Sequence, residues 1–114
     1  MRLTLQVQLV LRALLSDPGR ERYGLDIVEA TGLPPGTIYP IMARLEAAAW
    51  VASRWEQIDR HAEGRPRRRY YRLTDDGTAQ ARTALAEVDA RQRARGRRRP
   101  AGPSGAVGSV PCAS

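Results

Sequence analysis

The spacing of the apolar residues changes partway along the chain, and this change limits the folds open to it. Residues 3–49 place apolar side chains at helical intervals, whereas residues 50–57 and 67–73 alternate between apolar and polar side chains. A period near 3.6 is typical of helices and a period of two is typical of strands. The sequence therefore predicts a run of helices followed by a pair of strands.

Three helices are predicted in the first half, over residues 3–16, 22–31 and 37–49. Thr37 is the expected N-cap of the third helix, which places Pro40 in its first turn. The third helix has one apolar face at the i, i+3, i+4 and i+7 positions, and this face consists of Ile38, Ile41, Met42 and Leu45.

The second half contains a hairpin, a helix and a tail. The stretch between the two strands is too long for a two-residue turn, so we expect a hairpin with a flexible basic tip. Thr74 is the expected N-cap of a last helix over residues 75–95. Residues 96–114 are rich in Gly, Pro and Ser without large apolar side chains. Such a tail buries too little surface to offset its ordering entropy, so we expect it to be disordered.

The order helix, helix, helix, strand, strand, helix predicts a mainly α fold with a small β-hairpin. Two helices joined by a short turn and followed by a hairpin form a winged helix-turn-helix. The expected organisation is a winged helix-turn-helix DNA-binding domain over residues 1–74, a C-terminal dimerisation helix over residues 75–95 and a basic tail over residues 96–114.

The positive charge lies in one half of the chain. The 114 residues carry a net charge of +7. Residues 1–58 hold six arginines and six acids, while residues 59–114 hold thirteen arginines and six acids. An excess confined to one half suggests a polyanionic partner. Because the chain has no lysine, a general preference for arginine at solvated positions stays open as an alternative.

Composition excludes several classes of protein. Cys112 is the only cysteine and His61 the only histidine, so neither an internal disulfide nor a zinc site built on several cysteines can form. No apolar run reaches the ~20 residues of a membrane-spanning helix. We expect a small cytoplasmic protein with no cofactor, no metal and no membrane contact, and one that is not an enzyme.

The outer face of the third helix is the first candidate for DNA contact. It presents Thr37, Tyr39, Pro40 and Arg44 among small residues, which let a helix backbone approach a groove floor. Arg44 can donate to a guanine edge or a phosphate, and the two hydroxyls can donate to phosphates. The alternative is an ordinary amphipathic helix with an alanine-rich outer face.

The hairpin tip is the second candidate. Arg65, Arg67, Arg68 and Arg69 lie within five positions, and guanidinium groups suit phosphate because they donate in two directions. The alternative is a solvated charged turn that protects an edge strand. Alternation sends Arg69 inward or sideways, so we expect at least one of the four to be structural.

Apolar surface beyond the needs of one core points to a second chain. The first helix has apolar residues off its main face, and the last helix has a thin apolar stripe. The predicted homodimer interface consists of Leu5, Leu9, Ala81, Leu85 and Val88.

Several blocks together resemble the PadR family of bacterial transcriptional regulators. They are L-T-L-Q-V-Q-L-V-L-R-A-L-L, Y-G-L-D-I, T-I-Y-P-I-M-A-R-L-E and G-R-P-R-R-R-Y-Y-R-L-T-D-D-G, in this order. The resemblance implies a dimeric winged-helix repressor, with a last helix that reaches the partner subunit and a possible small aromatic or drug-like effector. Family contacts of the recognition helix fall on Thr37, Tyr39, Pro40 and Arg44, and those of the wing on Arg65, Arg67 and Arg68. The chain has Ala49 where the family commonly has glycine.

The predicted function is sequence-specific binding of double-stranded DNA at a near-palindromic operator, by a nucleoid-associated repressor. Two copies that read half-sites one helical turn apart require such a site. The alternative is a winged-helix module whose arginines meet RNA or an acidic protein.

Overall fold

A computed structural model describes residues 1–98 of the chain as one set of packed helices around a small sheet. The elements in chain order are α1 (Leu5–Leu15), β1 (Arg22–Tyr23), α2 (Gly24–Thr31), α3 (Pro35–Ala47), β2 (Val51–Trp55), α4 (Arg60–Glu63), β3 (Arg69–Leu73) and α5 (Asp75–Arg98). The predicted fold class is confirmed, with the short elements β1 and α4 added in stretches predicted as helix and loop.

The sheet has the strand order β1-β3-β2, and both pairings are antiparallel. The hairpin pairs Val51 with Leu73 at its base and Trp55 with Arg69 at its outer end. The segment from β2 through α4 to β3 is called the wing below. Strand β1 is only two residues long and runs directly into α2. Its pairing with β3 therefore holds the start of α2 against the sheet.

Helix α3 begins earlier than its sequence indicates. Its N-cap is Pro34, and Thr37 lies within the first turn, where its N–H donates to the Pro34 carbonyl at 2.9 Å. The predicted N-cap role of Thr37 is therefore wrong. Pro40 falls in the second turn, where its missing N–H removes the usual helical bond to the Gly36 carbonyl.

A single apolar core unites the helices and the sheet. The predicted buried face of α3 is confirmed, since all four of its residues are at most 2% exposed. Trp50, Tyr71 and Leu73 close the core from the sheet side. The other core residues are Val7, Val10, Leu11, Leu14, Ile27, Val51, Ala81 and Leu85.

The start of α5 is fixed against the end of α3. The Thr74 hydroxyl accepts the Gly77 N–H at 2.8 Å and donates to the Ala49 carbonyl at 2.9 Å, so the predicted N-cap is confirmed. A Cβ at Gly77 would overlap the backbone of Trp50. The helix then runs to Arg98, three residues past the predicted end at Arg95. The remainder of the predicted tail lies outside the described residues.

The turn between α3 and β2 carries backbone strain. Ala49 has φ 63°, and it is the only described residue other than glycine with positive φ. This left-handed conformation costs an L-residue with a Cβ roughly 1–2 kcal/mol. It is adopted because the Ala49 and Trp50 N–H groups must turn back to the last carbonyls of α3, at 3.0 and 2.9 Å.

Candidate nucleic-acid interface

The outer surface of α3 is exposed opposite its buried face. Tyr39, Pro40 and Arg44 are exposed, and Thr37 is half-buried. Within the described part of the chain, no carboxylate pairs with Arg44. Its guanidinium is therefore available to a base edge or a phosphate.

Tyr39 lies against the first turn of α2, which fixes its ring. A Cβ built on Gly24 would come within 2.5 Å of the Tyr39 hydroxyl and 2.6 Å of its ring. Glycine at this position lets the ring approach the α2 backbone, while 46% of Tyr39 stays exposed. The first turn of α2 is held in turn by Asp26, whose carboxylate accepts the Tyr23 N–H at 3.0 Å.

Glu56 is the internal anchor of the wing, a role that sequence reasoning did not assign to it. Its carboxylate accepts hydrogen bonds from two guanidinium nitrogens of Arg65, at 2.7 and 3.2 Å. It also accepts one from the backbone N–H of Arg68, at 3.3 Å. The Tyr70 hydroxyl donates to it at 3.2 Å. These bonds, those from Arg65 above all, lower the pKa of Glu56 to about 2. The carboxylate therefore stays charged and the two sides of the wing stay joined.

Arg65 is consequently neutralised by a carboxylate from its own chain. The family resemblance implied that Arg65 contacts DNA together with Arg67 and Arg68. In this structure it pairs with Glu56 and 31% of its side chain stays exposed, and its contact with DNA stays a prediction. An arginine that is already paired in two directions has little charge left to offer a phosphate.

Arg67 and Arg68 have surroundings that differ from those of Arg65. Neither forms an ion pair with a carboxylate among residues 1–98, and both are exposed. The Arg68 guanidinium lies 4.6 Å from the centroid of the Tyr23 ring and donates to the Tyr23 hydroxyl at 2.9 Å. A ring and a hydroxyl orient this cation without cancelling it.

Arg69 ties the wing to the recognition helix. Its guanidinium donates to Glu46 of α3 at 3.1 Å and to the Ser53 hydroxyl of β2 at 2.9 Å, while Ser53 donates to Glu46 at 2.6 Å. It also lies 5.2 Å from the ring of Trp55. The prediction that at least one arginine of the cluster is structural is confirmed by Arg69 and Arg65.

A further ion pair links the edge strand β2 to the residue that precedes the other edge strand, β1. Arg54 donates to both oxygens of Glu21 at 2.6 and 2.7 Å, and it lies 4.6 Å above the ring of Tyr70. The bond from Arg54 lowers the pKa of Glu21. Sequence reasoning missed Glu21, Glu46 and Glu56 because each pairs across a sequence separation of nine residues or more.

The structure separates the residues predicted for the dimer interface into two groups. Leu5 and Leu9 of α1 are 70% and 38% exposed, as free apolar surface must be. Ala81, Leu85 and Val88 are at most 7% exposed within the single chain. Those three pack within the single chain, where α5 lies on α1 and β3, and their part in a dimer interface stays a prediction.

Two features are missing from the described residues. Between Met1 and Arg98, no group of three or more His, Cys, Asp or Glu could hold a metal ion. Over the same range, no helix is both long and apolar enough to cross a membrane.

Comparisons with known proteins agree with this fold. The family model described as the transcriptional regulator PadR-like family matches residues 10–83. A PadR family transcriptional regulator from Eggerthella lenta is similar at 29% identity and a TM-score of 0.65, covering 80% of this chain and 78% of its own. No curated protein matches the chain.

Two further solved structures share the fold. Bordetella bronchiseptica BpsR, described for regulation of its DNA binding by 6-hydroxynicotinic acid, has 24% identity and a TM-score of 0.63, with 82% of this chain and 61% of BpsR covered. Overoxidized AbfR bound to DNA has 24% identity and a TM-score of 0.61, with 77% of this chain and 59% of AbfR covered.

Proposed function

The chain belongs to the PadR-like family of transcriptional regulators, and from this premise we propose that it represses transcription as a homodimer on a near-palindromic operator. Members of this family regulate transcription and are not enzymes. The observation that carries the proposal is that Tyr39 of α3 and the unneutralised Arg67 and Arg68 line one cleft. A single DNA surface can therefore engage the helix and the wing together.

We assign recognition of the DNA sequence to α3, which would lie in the major groove. Arg44 stands on its exposed face without a carboxylate partner in residues 1–98. A bidentate pair between Arg44 and a guanine would contribute roughly 1–3 kcal/mol of discrimination. Thr37 and Tyr39 would donate to phosphates at the groove edge, and Pro40 would pack against the backbone between them.

The wing would supply affinity without sequence information. Arg67 and Arg68 at its tip have no carboxylate partner among residues 1–98, and phosphate contacts of this kind depend on salt because they release counterions. Arg65 would also act indirectly, because its bonds to Glu56 hold the segment that carries Arg67 and Arg68.

Dimerisation through α1 is supported by its exposed leucines. Leu5 and Leu9 lie one helical turn apart, and burying a leucine contributes roughly 1.5–3 kcal/mol. One winged helix covers only about 600–1,000 Å² of DNA surface. A dimer whose recognition helices are about 34 Å apart would double that contact and require inverted half-sites.

Regulation by a small aromatic or drug-like effector and a nucleoid location complete the proposal. BpsR, which shares the fold, is described as a protein whose DNA binding responds to 6-hydroxynicotinic acid. That the regulator is a repressor is what the family resemblance implies. A dimer bound to an operator would repress by excluding other proteins from that DNA.

Selection of bound duplexes from a random library by the full chain tests the function. We expect enrichment of two inverted half-sites centred about one helical turn apart. A folded variant with Leu5→Asp should enrich single half-sites or none, whereas Gln6→Asp, an exposed neighbour on α1, should behave as the parent. Equal retention of RNA or of unrelated duplexes would contradict the proposal.

A further inference from the structure

The last two turns of α5 extend past the core of the protein. Val88 is the last buried residue that the structure describes on this helix, and Asp89 bonds to Arg12 of α1 at 3.1 Å. Beyond that bond, six of the seven residues 91–97 are exposed and Ala94 is half-buried. A helix that packs on a core has one buried face, so this segment stands clear of the core on every side. We call residues 91–97 the basic end of α5.

The charge of the basic end is entirely positive. Its exposed arginines occupy every second position and are Arg91, Arg93, Arg95 and Arg97. No carboxylate among residues 1–98 forms an ion pair with any of the four, and residues 90–114 contain no Asp or Glu. The earlier part of the helix, residues 75–89, holds four acids and one arginine. The cations of α5 therefore lie at the end that the core does not use.

The four arginines form two stripes on opposite sides of the helix. Successive residues of an α-helix are about 100° apart. Arg91 and Arg95 thus share one side, and Arg93 and Arg97 lie about 200° around from them. Like charges four residues apart repel each other, and the helix dipole favours cations only in the last turn. A partner with negative charge on both sides of the helix would relieve this repulsion.

Double-stranded DNA has the shape and charge of such a partner. The major groove of B-DNA is about 12 Å wide, which admits an α-helix about 10–12 Å across with its side chains. A helix in that groove would point one stripe at the phosphates of each strand. The major groove of duplex RNA is too narrow for this. A membrane surface requires an apolar face, whereas residues 91–97 have no apolar side chain larger than alanine. A second copy of the basic end would add like charge.

We propose that the basic end of α5 is a second DNA-binding surface, which binds the phosphate backbone of double-stranded DNA whatever its sequence. This surface is separate from α3 and from Arg67 and Arg68 of the wing. Helix α5 begins at the base of the hairpin and packs on α1 and β3, and Arg91 lies about 24 Å along its axis from Asp75. One protein molecule then holds an operator at α3 and another duplex at α5. The inference goes beyond the proposed function, because this binding requires no operator.

Binding of a short scrambled duplex tests the surface without an operator. The background protein carries Arg44→Gln, Arg67→Gln and Arg68→Gln, which remove the cations assigned to DNA on α3 and the wing. Adding Arg93→Gln, Arg95→Gln and Arg97→Gln should weaken binding about tenfold or more at low salt. The slope of log affinity against log salt should fall by about 2.7, from ~0.9 for each of three phosphate contacts. Fluorescence anisotropy at several salt concentrations measures both quantities.

A matched triple variant separates the surface from net charge. Arg2→Gln, Arg20→Gln and Arg82→Gln remove the same charge from exposed positions elsewhere, and in the same background they should leave affinity and slope nearly unchanged. Equal losses in the two triple variants, or unchanged binding by the α5 variant, would overturn the proposal. Tighter binding of duplex RNA than of duplex DNA by the background protein would assign the basic end to RNA and also overturn it.

Simultaneous binding is measured on an immobilised operator. The full chain bound there should capture a labelled scrambled duplex, and the chain with only the three α5 substitutions should capture about tenfold less. No capture by the full chain would mean that the two duplexes exclude each other, which contradicts a separate second surface. If no operator is selected from random duplexes, the operator function fails, and the scrambled-duplex titrations still decide whether α5 binds DNA.

Discussion

The recognition helix and the wing face the same cleft, but different forces hold their side chains in place. The outer residues of α3 depend on its inner face, where Ile38, Met42 and Leu45 are fully buried. The base of the wing joins the core through Val51, Tyr71 and Leu73. Its outer part depends on ion pairs and stacked rings at its surface. Residue type therefore indicates exposure well on α3 and pairing poorly on the wing, where two of four neighbouring arginines pair with carboxylates and two do not.

Partners distant in sequence decide which role each wing arginine has. Arg65 and Arg69 are neutralised by Glu56 and Glu46, which lie nine and 23 residues away. Arg67, between them, has no such partner in residues 1–98. A run of cations thus mixes arginines that pair with carboxylates and arginines that do not, and only the positions of the carboxylates separate the two kinds.

The largest expected effect comes from the inner face of α3. Ile38→Ala removes a fully buried side chain and should lower the free energy of unfolding by about 2–5 kcal/mol. Trp55→Ala on the wing should cost about 1 kcal/mol or less, because the ring is largely exposed. Urea denaturation of both variants checks this. Equal losses would mean that the wing depends on a core as α3 does.

Arg44→Ala should change recognition while leaving the fold intact. The variant should lose roughly 1–3 kcal/mol of preference at one base pair in each half-site and keep its affinity for scrambled DNA. Titration of operator and scrambled duplexes measures both, with Arg20→Ala as a control that makes the same change in net charge. Equal weakening on the two DNAs would assign Arg44 to the backbone and leave reading to other α3 residues or DNA shape.

A substitution at Ala49, in the turn between α3 and the wing, should have a smaller effect, and it should raise the free energy of unfolding. Ala49→Gly relieves the left-handed strain at φ 63° but adds about 0.4–1 kcal/mol of unfolded-chain entropy. The net gain in stability should be about 0.5 kcal/mol, given a strain of roughly 1–2 kcal/mol. Ala48→Gly, at φ −83°, has no strain to relieve and should be destabilising. A loss of stability in both variants would contradict the account of this turn.

The smallest expected effect is a pH dependence of the wing. The pKa of Glu56 is lowered to about 2, below the usual value near 4.3 for glutamate. Its contribution is therefore fully present above about pH 4.3 and is lost as the pH falls through about 2. The difference in unfolding free energy between the parent and Glu56→Gln should narrow over that interval. A constant difference would show that the charge of Glu56 has no part in holding the wing.

The helices were predictable because their signals are local. The inner face of α3 follows from residues three and four positions apart, and the Thr74 cap follows from one residue beside the helix it begins. The start of α3 was misplaced because a side-chain cap at Thr37 was expected, whereas Pro34 supplies the extended entry without one. No apolar period marks β1, whose two residues depend on pairing with Tyr70 and Tyr71.

The candidate site was only partly predictable. Exposed α3 residues follow from the same period that gives its core, so Tyr39 and Arg44 could be named from sequence. The braces at Glu46 and Glu56 require the hairpin register, which period-two alternation leaves open to shifts. The apolar stripe of α5 is equally compatible with a partner chain and with the chain's own core, and burial places Leu85 in the core.

The salt dependence of operator binding tests most directly whether the wing arginines divide into contacts and braces. Arg67→Gln should reduce the slope of log affinity against log salt by about 1.8, from ~0.9 per phosphate contact counted in two subunits. The double variant Glu56→Gln with Arg65→Gln removes a neutral pair, and its two glutamines can still hydrogen-bond to each other, so the slope should change much less than in Arg67→Gln. A slope that falls equally in both proteins, or that falls only in the double variant, would contradict the division.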